Sequence, residues 1–325
     1  MSDTAEELFR RLLEKDRRAA ARLITMVENG QPEAREALRL LHRHSGRAHI
    51  VGLTGSPGSG KSTLTCRLAQ HYRSLDRSVG IICVDPTSPF TGGALLGDRV
   101  RMQELSGDPE VFIRSMGSRG ALGGLSVATN DVINILDAFG KDYIIVETVG
   151  AGQVEIEIVK FAQTCIVVTM PGAGDEIQAI KAGILEIGDI FVVNKADREG
   201  ALRTLSDLEM MVETRPVREE PTWTPPVMSC IALEGTGVEE LAGAIDDHWV
   251  YLRQSGMLEQ KIIGRMRAEM LEILNLKVTR AAGAVIDSEG RGQDIIKRMV
   301  GRELDPHSAA DEMAGLLAER ELDVR

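Results

Sequence analysis

The sequence has few cysteines, no long apolar run and too little positive charge for several classes of protein. Its four cysteines form no C-x-x-C pair, which argues against a disulfide framework or a cysteine metal site and predicts four buried thiols: Cys66, Cys83, Cys165 and Cys230. No apolar run approaches the roughly 18 residues of a membrane span, and the acidic start lacks the basic and apolar stretches of a signal peptide. We therefore expect a cytosolic protein that does not enter a membrane.

The charge balance is acidic. There are 38 Lys and Arg residues against 49 Asp and Glu residues, which gives a net charge of −11. Such a surface repels phosphate backbones, so we expect no nucleic-acid partner. Hydrophobic residues make up 43% and charged residues 27% of the chain, as is typical of globular proteins. The length of 325 residues predicts about two domains.

The apolar pattern changes twice along the chain. Residues 4–45 have helical spacing, with Thr4 and Glu7 as a capping box, and predict two short helices joined near residues 30–32. From residue 48, short Val- and Ile-rich runs alternate with amphipathic stretches of helix length, which is typical of a doubly wound α/β domain with a mostly parallel sheet. After residue 250 the pattern is helical again. We predict an N-terminal helical extension (1–46), an α/β domain (47–250) and a C-terminal helical region (251–325). The predicted strands are Ile50–Leu53, Val79–Val84, Val111–Arg114, Tyr143–Val146, Cys165–Met170, Ile190–Val193 and Val227–Cys230.

A phosphate-binding loop follows the first predicted strand. Gly55–Ser62 matches G-x-x-x-x-G-K-[ST] at every fixed position, and a predicted helix follows. In such loops, backbone amides and the helix N-terminus face the β-phosphate, while the lysine reaches the β- and γ-oxygens and the hydroxyl binds Mg²⁺. The motif predicts a P-loop nucleotide-binding fold. The expected nucleotide-binding residues are Pro57, Gly58, Ser59, Gly60, Lys61, Ser62 and Thr63.

A second motif predicts which base is bound. Asn194, Lys195 and Asp197 follow a strand, and a carboxylate there can accept two hydrogen bonds from N1 and N2 of guanine, a donor pair that adenine lacks. At the end of the next predicted strand, the segment Ser229, Cys230 and Ile231 resembles one that supports guanine through its backbone. We therefore predict GTP rather than ATP.

Acidic residues beyond strand ends predict a magnesium site and mobile switches. Asp85, Asp98 and Glu147 stand at or shortly beyond strand ends, where ligands bind in open α/β sheets, and Mg²⁺ prefers oxygen ligands such as these and Ser62. Gly150 matches a glycine that senses the γ-phosphate, so Asp85, Asp98, Gly150 and Gln153 are candidate switch residues. Ala151 occupies the place of a water-orienting glutamine, which predicts slow intrinsic hydrolysis of about 10⁻⁴ to 10⁻² s⁻¹.

Together these segments resemble the MeaB/ArgK family of P-loop GTPases, across almost the whole chain. The resemblance implies a homodimeric GTPase whose C-terminal helices form the dimer arm. It also implies a chaperone of an adenosylcobalamin-dependent acyl-CoA mutase, typically methylmalonyl-CoA mutase, that gates cofactor loading, protects the mutase and is stimulated by it. An older family label describes a kinase of periplasmic arginine- and ornithine-binding proteins. We set this label aside, because the sequence shows no protein-substrate site. The resemblance is carried by residues 55–62, 85–88, 91–93, 96–98, 147–150, 152–153, 171–176, 194–197 and 305–310.

The residue that activates hydrolysis is a hypothesis from charge placement. Lys61 and Glu147 are expected to be catalytic. Lys181 follows the Pro171–Gly174 segment, and a partner that orders this loop could bring the lysine to the γ-phosphate. A cation delivered there lowers the barrier by about 4–7 kcal/mol. The alternative for Lys181 is an exposed helix lysine, with Arg99, Arg101 and Arg119 as rival donors.

Three other functions remain open on the sequence. A metal-inserting GTPase needs a His- or Cys-rich relay, which the six histidines do not form. A small-metabolite kinase would share Lys61 and Ser62 but would have no use for Asn194 and Asp197. A non-hydrolysing scaffold switched by GTP would differ from the enzyme only in turnover when the partner is present.

Overall fold

The computed structural model describes residues 4–85, 102–117, 124–148, 158–172, 187–214, 223–287 and 290–319. The chain forms two compact units, Met1–Arg265 and Met266–Arg325. The first unit is a parallel sheet with helices on both faces, and the second is helical.

The described residues form a sheet of seven strands, and every neighbouring pair is parallel. Their order is β3-β2-β4-β1-β5-β6-β7, so β2, β3 and β4 lie on one side of β1, with β4 next to it, and β5, β6 and β7 follow on the other side. This confirms the doubly wound α/β prediction, and all seven predicted strands are present. Their bounds are β1 His49–Gly55, β2 Val79–Asp85, β3 Val111–Gly117, β4 Tyr143–Thr148, β5 Thr164–Thr169, β6 Ile190–Asn194 and β7 Val227–Cys230.

Alternate residues of the inner strands face two separate cores, which is why their apolar runs are continuous. Ile50 and Ile144 pack on one face with the N-terminal helices, whereas Val51 and Ile145 pack on the other. A strand buried on both faces has no polar side, so the sequence shows a continuous apolar run. The described helices of the first unit are α1 Ala5–Leu13, α2 Arg17–Glu28, α3 Glu33–Leu41, α4 Lys61–Ser74, α5 Gln103–Ser106, α6 Gly124–Ala138, α7 Ala201–Glu213 and α8 Val238–Gln254.

The N-terminal extension contains three helices, so the prediction of two was wrong. Lys15 adopts φ 65° between α1 and α2, and the Asp16 carboxylate accepts hydrogen bonds from the amides of Arg18 (2.8 Å) and Ala19 (3.3 Å) as the cap of α2. A lysine does not signal a left-handed residue, so the break was missed. The capping interaction of Thr4 with the Glu7 amide is present at 3.2 Å.

Two polar contacts hold the extension and the start of β1 in place. Arg114 of β3 pairs with Glu28 of α2. Asp137 of α6 accepts hydrogen bonds from the amides of Arg47 (3.1 Å) and Ala48 (3.0 Å), just before β1. The start of the central strand is therefore fixed by a buried carboxylate.

The second unit has its own small core. It contains most of α9 (Met257–Asp287) with α10 (Arg291–Val300) and α11 (Pro306–Glu319), packed around Val285, Ile295, Ala309, Met313 and Leu317. Among the described helices, none has the length and apolar content needed to cross a membrane.

Two buried histidines at the amino ends of the strands predict a pH dependence of stability. Thr164 Oγ1 lies 2.7 Å from Nε2 of His49 and 2.9 Å from Nδ1 of His248. Burial lowers the pKa of His49 to about 3 and that of His248 to about 4. Histidines of the unfolded chain, with a pKa of about 6.5, bind protons at pH values where the folded histidines stay neutral. Their contribution to the free energy of unfolding is therefore complete above that pH and is lost progressively below it.

Lowering the pH from 7 to 5 should therefore reduce the free energy of unfolding by about 2 kcal/mol for each histidine. Urea denaturation at both pH values tests this in the wild type, in His49→Gln and in the exposed control His307→Gln. The His49 variant should lose part of the pH dependence and the control none. Equal pH dependence in all three would contradict the assignment.

Candidate active site

The loop between β1 and α4 has a conformation that only glycine allows at two places. Gly55 has φ 135°, and a Cβ there would lie 1.9 Å from the carbonyl oxygen of Val168. Gly60 has φ 92°, and a Cβ there would lie 2.3 Å from Nδ2 of Asn194. The glycines of the motif thus let the loop lie against β5 and the base motif. Pro57 and Gly58 are exposed at its tip, Ser59 is buried, and Thr63 is half-buried in the first turn of α4.

The Lys61 side chain folds back along the loop. Its ammonium donates hydrogen bonds to the carbonyl oxygens of Gly55 (2.7 Å) and Ser56 (3.1 Å), and the residue is buried. The charge is therefore held beside the loop, where phosphate oxygens would be stronger acceptors than neutral carbonyls.

A hydroxyl and a carboxylate meet beside the loop. Ser62 donates a hydrogen bond of 2.5 Å to Oε1 of Glu147, and both side chains are buried. Glu147 lies near the end of β4, beside Leu53 of β1, and Ser62 lies in the first turn of α4, which follows β1 through the loop. Two hard oxygen donors of this kind fit Mg²⁺, which takes oxygen ligands and keeps several waters. Within the described ranges there is no group of three or more His, Cys, Asp or Glu residues that could hold a metal ion by themselves.

The base motif is tied to the phosphate loop. Asn194 is buried at the end of β6, donates to the carbonyl of Ser59 (2.8 Å) and accepts from the amide of Ala232 (3.0 Å). Lys195, with φ 59°, donates to the carbonyl of Gly58 at 2.6 Å. Asp197 follows in the exposed turn. The structure therefore brings together the two motifs that the sequence separates by more than 130 positions.

The end of β7 lies beside the base motif. Cys230 is the register partner of Asn194, and its carbonyl accepts from the amide of Ala196 at 3.1 Å. Ser229 is exposed and Ile231 is half-buried. Burial raises the pKa of the Cys230 thiol to about 12, so the thiol stays protonated. All four cysteines are described and buried, and none of them forms a disulfide bond, as predicted.

Several predicted residues fall outside this description. Asp98, Gly150, Gln153 and Lys181 lie outside the described residues, and Asp85 is described only as the backbone end of β2. Their proposed roles stay predictions.

Sequence reasoning missed Arg67. This residue of α4 donates from Nε to the carbonyl of Ala232 (3.1 Å) and from Nη2 to the carbonyl of Leu233 (2.7 Å). No motif marks it, because its partners are backbone atoms about 165 positions away in sequence. Only the approach of α4 to the loop after β7 could show the contact.

A glycine-dependent loop at the end of the central strand, together with an Asn-Lys-x-Asp motif that holds it, defines a P-loop protein of the guanine-nucleotide class. Strand β1 is the central strand of the sheet, and the connections to its two neighbours run in opposite directions. Ligands bind at such a point in sheets of this kind.

Comparisons with known proteins agree. A sequence model of the family described as "Methylmalonyl Co-A mutase-associated GTPase MeaB" matches residues 20–285. A putative GTPase of Pyrococcus abyssi is 50% identical over 307 residues, which cover 94% of this chain and 94% of the relative. The mitochondrial methylmalonic aciduria type A homolog of Caenorhabditis elegans is 32% identical over 282 residues, or 82% of this chain and 71% of the relative. The crystal structure of an LAO/AO transport system kinase, 25% identical, aligns with a TM-score of 0.69 over 98% of this chain and 99% of that chain.

The chain belongs to the MeaB family, and the protein is a GTPase. The family resemblance and the P-loop fold that the sequence predicted are thereby confirmed.

Proposed function

We propose that this GTPase is a chaperone of an adenosylcobalamin-dependent acyl-CoA mutase, similar to methylmalonyl-CoA mutase, whose cofactor loading it gates and which it protects. The observation that carries the proposal is the extent of the family match. The match to residues 20–285 takes in α2 and α3 of the N-terminal extension and most of α9, beyond the nucleotide-binding core. The printed name of the Caenorhabditis elegans relative, a methylmalonic aciduria protein, supports the same class of client.

The proposed chemistry uses the buried groups beside the loop. Lys61 is placed to exchange its two backbone acceptors for phosphate oxygens. Ser62 and Glu147 would hold Mg²⁺, which when bound supplies positive charge to the phosphates. The guanine base would lie beside Asp197 and the 229–231 segment. Lys181 is retained as the proposed activating cation, and Asp85, Asp98, Gly150 and Gln153 as proposed metal or switch residues.

Cofactor loading tests the proposal directly. The apo-mutase and adenosylcobalamin are mixed with this protein and GTP, with this protein and a non-hydrolysable GTP analogue, or with the Lys61→Ala variant and GTP. Cofactor transfer is followed by absorbance. Loading should be rapid only with GTP and the intact lysine. Equal loading in all three mixtures would contradict a GTP-driven gate.

We further propose that the C-terminal region pairs two copies of the chain. An apolar stripe of α9 is exposed in the single chain, with exposed fractions of 46% at Met266, 61% at Met270, 49% at Leu274 and 41% at Val278. Residues four apart lie on one face of a helix, so these four form one continuous surface. A stripe of this kind is suited to a second copy of itself.

Met270→Glu combined with Leu274→Glu should convert a dimer into a monomer. Each buried aliphatic side chain contributes about 1.5–3 kcal/mol, so the dissociation constant should rise by at least about 10²-fold. Analytical ultracentrifugation measures it. Asn275→Glu with Thr279→Glu adds the same charge at exposed positions off the stripe and should leave the dimer intact; dissociation in both variants alike would count against the stripe.

A further inference from the structure

The guanidinium of Arg67 links the phosphate-binding helix to the loop that follows β7. Nε and Nη2 donate to the consecutive carbonyls of Ala232 and Leu233, at 3.1 and 2.7 Å. Nη1 donates to Oε1 of Gln70 at 3.0 Å. A planar fork with three partners in fixed directions has one orientation, which a flexible ammonium would not have.

Ala232 is held from both sides as a result. Its amide donates to Oδ1 of Asn194 at 3.0 Å, and its carbonyl accepts from Arg67. Asn194 in turn donates to the carbonyl of Ser59 at 2.8 Å. Phosphate loop, base motif and β7 loop are thus joined through two side chains, Asn194 and Arg67.

The far side of Arg67 is braced as well. Gln70 accepts from Arg67 and donates from Nε2 to Oε2 of Glu104 at 2.9 Å. Glu104 lies in α5, so this chain of hydrogen bonds connects the loop after β7 with the helix that precedes β3. A side chain oriented by such outer partners positions its own target more tightly than an isolated one does.

We propose that Arg67 is a positioning residue that sets the affinity for the guanine base by fixing the loop after β7. The proposal rests on the proposed placement of guanine beside Asp197 and residues 229–231. A loop fixed before binding has no ordering cost on binding, so nucleotide is held more tightly and leaves more slowly. The phosphate loop itself is held by Asn194 and Lys195, so affinity for a ligand without a base should depend little on Arg67.

The test compares Arg67→Ala with Arg73→Ala. Arg73 lies on the same helix and donates to Asp108 (2.9 Å) and to the carbonyl of Arg77 (3.0 Å), away from the β7 loop. Dissociation constants for fluorescent GDP and GTP are measured, with inorganic tripolyphosphate as the competitor that lacks a base. Arg67→Ala should weaken GDP and GTP about tenfold, through faster dissociation, and leave the tripolyphosphate constant within twofold. Arg73→Ala should change none of these, and Arg67→Lys should restore part of the affinity.

Unchanged GTP affinity in Arg67→Ala would overturn the proposal. So would an equal loss for tripolyphosphate, since that marks damage to the phosphate loop or the fold. Asp197→Asn in the same assay separates this failure from failure of the proposed base site. If Asp197→Asn loses GTP while Arg67→Ala binds it normally, only the role of Arg67 falls; if both bind GTP normally, the base site itself is misplaced.

Discussion

Asp197→Asn should lose GTP and gain xanthosine triphosphate. A carboxylate accepts hydrogen bonds from both N1 and N2 of guanine, whereas an amide presents a donor to one of them and can accept only one. Two charge-assisted hydrogen bonds are worth about 1.5–3 kcal/mol each, so affinity for GTP should fall by about 10²- to 10⁴-fold. Xanthine has an acceptor where guanine has the N2 amine, so the variant should bind it better than the wild type does.

Titration with fluorescent guanine and xanthine nucleotides measures both changes. Glu199→Gln is the matched control, because Glu199 is an exposed acid of the same turn and has no proposed contact with the base. Tight GTP binding by Asp197→Asn would refute the placement of the base. The prediction rests on the hydrogen bonds from Asn194 and Lys195 to the phosphate loop, which fix where the next turn begins.

Glu147→Gln should leave the fold intact and reduce GTP turnover by about 10²- to 10³-fold, the loss seen when one charged or hydrogen-bonding group is removed from a reacting centre. The change keeps the shape of the side chain and removes only its charge. Its carbonyl oxygen can still accept from Ser62, as Oε1 of Glu147 does at 2.5 Å. The variant should also need a higher Mg²⁺ concentration for half-maximal turnover.

Asp137→Asn is the control for removing a buried carboxylate. Asp137 accepts from backbone amides before β1 and lies outside the proposed site. That variant should unfold at a lower temperature and hydrolyse GTP at the wild-type rate. Wild-type turnover in Glu147→Gln, at any Mg²⁺ concentration, would remove Glu147 from the proposed machinery.

The fold was predictable because the information is local. The inner strands β1, β5 and β6 are buried on both faces, so each appears as a short apolar run, as in Ile190–Val193, whatever its neighbours are. The glycine-lysine loop and the Asn194–Asp197 motif are also local, and each was expected at the end of a predicted strand. The order of the strands was not predicted, because an apolar run does not show which strands are its neighbours.

What the sequence could not show depends on distant contacts or on unmarked backbone geometry. Lys15 adopts a left-handed backbone conformation that lysine does not favour, so the sequence predicted one helix where the structure has two. Arg67 acts on the carbonyls of residues 232 and 233, which have no side-chain signature. The pairing of His49 with His248 through Thr164 likewise needs three separate elements to meet.

GTP turnover with and without the client tests the central claim most directly. The purified protein is assayed alone and with each adenosylcobalamin-dependent acyl-CoA mutase of the same genome, with Lys61→Ala showing that the rate belongs to this site. One mutase should raise turnover at least about tenfold, equivalent to about 1.4 kcal/mol of barrier. Hydrolysis of GTP that no mutase alters, by a protein that no mutase binds, would contradict the chaperone function and leave a GTPase with a different client.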